Sequence, residues 1–262
     1  MEGLRLSTMT ACTEVNSNIE LKNLYSQISI DDFIKYAEHG DNNYKGYAKK
    51  NDKKKRKEKA KRTFFNQLTL HCNYDDKLVN VKFFNNGKIQ MTGLKYENQG
   101  VKLLNEKLLP LFNNFNDIFD NDVKEIDNYR IVMMNSDFDI KKNIDRDLLQ
   151  DKITDAGYYS IYEPDWYPGV NIKYYFNTNN DNTGICRCSE ICKGKGCGDG
   201  EGECKGVTIA AFEKGKILIT GARKQEQIIR CKCFIEDFIN NEINWYRDFI
   251  NNKINLYKRF YK

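Results

Sequence analysis

Apolar and polar residues alternate most cleanly in two pairs of short segments. In residues 79–84 and 88–92, Val81, Phe83, Ile89 and Met91 fall on one side of an extended chain; Lys82, Phe84, Gln90 and Thr92 fall on the other. Residues 207–212 and 216–220 repeat the pattern, with Ile209, Ala211, Ile217 and Ile219 against Ala210, Phe212, Leu218 and Thr220. The two passages nearly share one text, FNNGKIQMTG at 84–93 and FEKGKILITG at 212–221. Each reads as an antiparallel hairpin turning at Gly87 or Gly215. A duplicated unit sets the architecture before any single motif does, and two copies predict a pseudo-twofold molecule.

The remaining pattern fills in both copies. Strands are predicted over 5–12, 64–72, 129–134 and 170–176. Ile19, Leu21, Leu24, Tyr25 and Ile28 have helical spacing, and Asp31-Asp32 opens a second helix near Phe33-Tyr36-Ala37. Further helices are expected over 97–109, stopped near Pro110, and over 143–153 and 223–239. This divides the chain into a first repeat, 1–126, with an insert at 40–62, and a second, 127–241, with an insert at 177–206. A helical extension follows at 242–262. Helices that follow the strands cover only one sheet face, so the class is α+β. The face bearing Phe84, Phe212, Leu218 and Thr220 is then a binding surface, or the inside of a sandwich or dimer.

Composition narrows the class. Hydrophobic residues make up 40% of the 262, and aromatics 13%, enough for a core. No run of about 18 apolar residues predicts a membrane helix, and the opening MEGLRLSTMT lacks a secretory stretch. Nine cysteines in clusters favour a reducing compartment over a disulfide framework. The net charge of +5 is uneven: residues 49–62 carry ten basic and two acidic side chains, so the remainder is −3. That run either reaches for a polyanion or is a solvated insert. With only His39 and His71, and no nucleophile–base pattern or phosphate loop, no enzyme chemistry stands out.

The segment Tyr162-Glu163-Pro164-Asp165-Trp166-Tyr167-Pro168-Gly169, with the paired F-x-x-G-K hairpins, resembles the TATA-box-binding protein family. The resemblance covers most of the chain outside the inserts and the tail. It implies a pseudo-twofold saddle of one curved antiparallel sheet with helices on the convex face and duplex DNA under the concave one. That family is itself the standard example of minor-groove wedging, with a kink of about 80°. The resemblance makes Phe84 and Phe212 one wedge in each repeat. Tyr167 stands where the second repeat's partner phenylalanine would be, and Phe65 (or its neighbour Phe64) takes that place in the first. Thr92 and Thr220 match groove-facing threonines, Gln90 and Leu218 stand at positions that are usually valine, His71 and Lys173 match basic phosphate contacts, and Lys88 and Lys216 are candidates for further ones. The asparagines that open each repeat's first strand in the family correspond to Leu4 and Arg130, within one residue, which weakens strict TATA preference. Glu163, Asp165 and Trp166 match the edge that docks a transcription factor IIB-like protein, which brings RNA polymerase indirectly.

Cys186, Cys188, Cys192, Cys197 and Cys204 crowd the second insert. Two readings stay open, a structural zinc site and free or redox-paired thiols. The zinc reading takes Cys188, Cys192, Cys197 and Cys204 as ligands and leaves Cys186 spare, because a C-x-C pair strains one tetrahedral site. The functional expectation is a transcription initiation factor that binds and bends A·T-rich DNA. Its rival is a saddle-shaped interaction or structural module without specific DNA binding, and homodimerisation off DNA stays open. The Asn-, Lys- and Ile-rich wording suggests a large DNA virus, with action in the nucleus or a viral factory in the host cytoplasm.

Overall fold

The computed structural model describes residues 3–40, 43–46, 65–179, 183–188, 192, 194–198 and 201–243. The basic run at 49–62, Phe64 and the extension beyond 243 lie outside the described residues. Two compact units separate, one built on Thr8–Val132 and the other on the residues up to Ser7 with those from Met133 onward. Among the described residues, no helix is long and apolar enough to cross a membrane.

The first unit contains strand β1 (Arg5–Glu14) from Thr8 onward, Arg5–Ser7 belonging to the second unit, and strands β2 (Ile34–His39), β3 (Tyr44–Gly46), β4 (Gln67–Tyr74), β5 (Lys77–Phe84) and β6 (Lys88–Leu94), in the antiparallel order β3-β2-β4-β5-β6-β1. Helix α1 (Leu21–Gln27) buries Leu21 and Leu24 and packs on β2 and β4. Helices α2 (Gln99–Leu103) and α3 (Leu109–Phe112) are joined by a π turn, Leu104–Leu108. The second unit contains β7 (Asp127–Asp139) from Met133 onward, β8 (Tyr159–Ile161), β9 (Val170–Phe176), β10 (Lys205–Ala211) and β11 (Lys216–Ala222), ordered β7-β11-β10-β9-β8. Helix α4 (Arg146–Asp155) packs on β8 and β9 through Leu149 and Ile153, and α5 (Gln225–Phe238) on β10 and β11 through Ile228, Cys231 and Ile235.

The α+β class and the antiparallel repeat are both present, and the repetition reaches individual hydrogen bonds. Val15 N donates to Gly87 O at 3.0 Å, and Ile140 N to Gly215 O at 3.0 Å. Lys95 N donates to Gln99 Oε1 at 2.7 Å, and Arg223 N to Gln227 Oε1 at 2.7 Å. Each glutamine side chain thus satisfies the backbone where a hairpin hands over to its helix. The alternation separates as predicted: Val81, Phe83, Ile89, Met91, Ile209, Ala211, Ile217 and Ile219 are buried, while Lys82, Phe84, Gln90, Thr92, Phe212, Leu218 and Thr220 are half-exposed. Ala210 departs from this, being buried between larger neighbours.

Two predicted elements are corrected. Asp31-Asp32 opens no helix; Asp31 Oδ1 accepts from the N–H groups of Phe33 at 2.8 Å and Ile34 at 2.6 Å, a local turn that delivers the chain into β2. Ile34, Tyr36 and Ala37 are buried there by pairing with β4, a long-range partner that local spacing does not reveal. Nor does Pro110 stop the helix. Leu109 N donates to Leu104 O, five residues back, and Pro110 falls in the first turn of α3, where no N–H is required. The continuation matters for packing, because it lays Phe112 edge-on against Phe83 at 5.3 Å between ring centroids.

Candidate nucleic-acid face and cysteine cluster

Strand register lines up side chains across neighbouring strands in rows. In the first unit Thr92 lies opposite Asn80, Asn80 opposite His71, and His71 opposite Tyr36. In the second, Thr220 lies opposite Thr208, Thr208 opposite Lys173, and Lys173 opposite Tyr159. The rows correspond place for place: threonine, small polar residue, basic residue, tyrosine. Their internal bonds correspond too. His71 Nε2 is 3.0 Å from Asn80 Nδ2 with its ring stacked 4.8 Å from Tyr36, and Lys173 Nζ donates to Thr208 Oγ1 at 2.6 Å. Asn80, Thr208, Tyr36 and Tyr159 were not singled out from the sequence, although Asn80 and Thr208 share the 128-residue offset of the two hairpins.

The next row differs between units. Gln90, Lys82, Thr69 and Glu38 follow one another in the first unit; Leu218, Ala210, Asn171 and Ile161 do so in the second. One face is charged and polar at that level, the other mainly apolar.

The aromatic positions also differ. Tyr167 and Phe212 meet edge-on at 5.7 Å. Gly169 makes this possible, because a Cβ there would lie 3.0 Å from the Tyr167 ring and 3.1 Å from the Phe212 ring. Arg146 holds the same loop to the hairpin, donating to Pro168 O at 2.7 Å and to Glu213 Oε2 at 3.0 Å, with its guanidinium 5.2 Å from the Tyr162 ring centroid. Phe65, in contrast, is 62% exposed and lies over Gly40, with no ring contact to Phe84 among the described residues. Phe84 closes β5 opposite Gln67.

Of the four basic positions, Lys88 is exposed at the start of β6 opposite Glu14. Lys216 instead bonds the buried carboxylate of Asp137, which Arg5 also holds through Nε at 3.1 Å and Nη2 at 2.9 Å. Asp137 lies opposite Leu218 and is 4% exposed. Burial alone would raise its pKa, but the Lys216 and Arg5 donors outweigh it and hold the carboxyl below the usual range. The stability from this triad is therefore present above the ordinary carboxylate pKa and lost as pH falls through the lowered folded value. Asp137→Asn should flatten the acid limb of the stability–pH curve measured by urea unfolding; an unchanged limb would refute the assignment. No sequence signal marked Asp137, since a carboxylate on that face runs against the expected chemistry.

Glu163, Asp165 and Trp166 sit on an exposed turn, where Glu163 O accepts from Trp166 N at 3.0 Å and Tyr167 N at 2.9 Å; Trp166 is 87% exposed.

In the insert, Cys186, Cys188, Cys192 and Cys204 bring their Sγ atoms within 4.8 Å of one another and could hold a metal ion. Cys186, expected to be spare, is in the group; Cys197, expected as a ligand, is exposed and outside it. The strain argument fails because residues 185–188 are not in a strand, so alternate side chains need not point to opposite faces. Cys72 and Cys231 are buried core thiols, Cys72 pushed up to about 12 by burial, whereas Cys233, two residues on from Cys231, is exposed.

No family profile matches the chain. The fold is that of TATA-box-binding protein: Methanococcus jannaschii TBP aligns with a TM-score of 0.53, over 91% of this chain and 98% of that one, at 18% identity. In sequence, a TATA-box-binding protein-like protein of Acanthamoeba polyphaga mimivirus is 28% identical over 218 residues, 71% of this chain and 51% of the relative. The chain is thus similar to TATA-box-binding proteins in both sequence and fold, and it spans about half the length of that curated relative.

Proposed function

We propose that this chain is a non-catalytic transcription initiation factor that binds A·T-rich duplex DNA in the minor groove and bends it. The observation that carries the reading is the matched pair of rows, Thr92-Asn80-His71-Tyr36 and Thr220-Thr208-Lys173-Tyr159, each on the face that also bears Phe84 or Phe212. Threonines and apolar side chains suit a groove whose A·T edges offer only acceptors. Basic residues at the same level supply phosphate contacts that position without specifying. Phe84 and Phe212, with Tyr167 and Phe65, act as wedges that fill the gap of an unstacked base step. Gln90 and Leu218 give the two halves different surfaces and so a preferred orientation.

Trp166, with Glu163 and Asp165 beside it, forms the docking edge for a IIB-like factor, and through it for RNA polymerase; an exposed tryptophan is the residue type that dominates interface energy. The cysteine group of the insert holds one structural zinc ion. The site of action is wherever the cognate genome is transcribed, the nucleus or a viral factory.

Fluorescence anisotropy with A·T-rich and G·C-rich duplexes tests the reading. Tighter binding to the A·T-rich duplex is expected; equally weak binding to both would favour the interaction-module alternative. Salt titrations should also separate two lysines. Lys88→Ala should reduce the slope of log K against log salt by about 0.9. Lys216→Ala should change it less, because Lys216 is already paired with Asp137. Equal losses would mean that DNA displaces Asp137.

A further inference from the structure

Resting on the reading that the insert holds a metal, we propose that Cys186, Cys188, Cys192 and Cys204 form a closed tetrathiolate centre for Zn²⁺. Loading it fixes the insert against Tyr175, at the end of the sheet face that carries Lys173. The sulfur spacing supports the centre. A tetrahedron with Zn–S bonds of about 2.3 Å has S···S edges of about 3.8 Å. The Cys186–Cys192 and Cys186–Cys204 sulfurs are 3.7 and 3.8 Å apart, far beyond a disulfide bond of about 2.05 Å. Thiolates select a soft ion over Mg²⁺ or Ca²⁺, and four of them leave no open position for catalysis.

Binding releases the four thiol protons and leaves a net charge of −2 on the centre. Two donors are placed to offset it. Gly196 N donates to Cys192 Sγ at 3.2 Å, and Asn177 Nδ2 to Cys188 Sγ at 3.4 Å. Such outer bonds orient ligands and moderate their charge.

The four cysteines also join stretches that, among the described residues, are pinned to the sheet by backbone bonds. The stretch bearing Cys186 and Cys188 is anchored where Tyr175 N donates to Gly184 O at 2.8 Å. The returning stretch is anchored by Gly206 N to Gly196 O at 2.7 Å and Gly198 N to Cys204 O at 2.8 Å. Gly196, at φ +60°, has no room for a side chain: a Cβ would lie 2.4 Å from Gly206 N and 2.8 Å from the Tyr175 ring. The Tyr175 hydroxyl donates to Gly194 O at 2.7 Å, which closes the insert over this residue. Tyr175 shares its strand face with Lys173, two residues away, so metal loading and the candidate DNA face meet at this tyrosine.

The full chain, purified under reducing conditions, should contain about one zinc per molecule by elemental analysis. Cys186→Ser and Cys204→Ser should each lose it, whereas Cys197→Ser should keep it. Cobalt-substituted protein should show the intense visible bands of a tetrahedral thiolate site, absent in Cys186→Ser. Limited proteolysis should cut the metal-stripped protein within 177–206 and leave the loaded insert resistant. Zinc retained by Cys186→Ser but lost by Cys197→Ser would overturn this ligand set while keeping a metal. Absence of metal from every preparation, or cysteines found paired by mass spectrometry of the unreduced protein, would overturn the metal reading itself. Equal cleavage with and without metal would overturn the ordering role.

Discussion

Changing Phe84 and Phe212 together to alanine should leave the chain folded and still associated with A·T-rich duplex, but with most of the bend gone. Both side chains end a strand on the half-exposed face, Phe84 opposite Gln67 and Phe212 just past β10. Neither supports the core, so the loss falls on the DNA. Opening a base step costs a few kcal/mol, and only an apolar side chain in the gap offsets it. At about 1.4 kcal/mol per tenfold, the double variant should lose at least tenfold in affinity along with the kink. The single changes should be unequal. Phe212 is braced by Tyr167 and Gly169 before DNA arrives, whereas Phe65 lies over Gly40 and not on Phe84. Phe212→Ala should therefore cost more, because it removes a preorganised wedge. Energy transfer across end-labelled duplexes reads the angle directly. Unchanged bending in the double variant would show that these phenylalanines are not wedges.

One residue away, Phe83→Ala should have the opposite signature. Phe83 is 1% exposed and packs against Phe112, so its loss opens a cavity in the first unit. Phenylalanine-to-alanine changes in a core cost about 3–5 kcal/mol, a large share of a typical domain's 5–15. Urea unfolding should show that loss for Phe83→Ala and less than about 1 kcal/mol for Phe84→Ala, as expected of a substitution outside the core. A loss below about 1 kcal/mol at Phe83 would mean that the two faces have been exchanged.

Much of this was legible because strand periodicity is local. A two-residue period separates Phe83 from Phe84 without reference to any distant residue, and the repeated hairpin text assigns Phe212 and Ile219 by correspondence. The misreadings share another origin. Residues 33–37 have no local feature that rejects a helix; β4, more than 30 residues away, makes them a strand. Pro110 breaks an ideal helix, but a π turn shifts the hydrogen-bond register and carries the chain on to Phe112. Strand β8 is three residues long, too short for a period to register.

The cysteines mark the same boundary. Their crowding made a metal site plausible from spacing alone, but spacing chose Cys197 over Cys186. The choice depends on where each stretch of the insert is anchored, at Gly184 beside β9 and at Gly196 beside β10. Asp137 is the clearest case. As a sequence position it is one acid in its strand; in the folded unit Arg5 and Lys216 converge on it, so that a lysine matched to a phosphate contact is also paired with a carboxylate. The duplicated α+β plan, the hairpins and the identity of the core-facing strand residues are thus readable in the chain, since they follow from short-range alternation and turn chemistry. The rows across strands, the ion triad and the sulfur group emerge with folding, because each joins residues whose spacing along the chain carries no information about their distance in space.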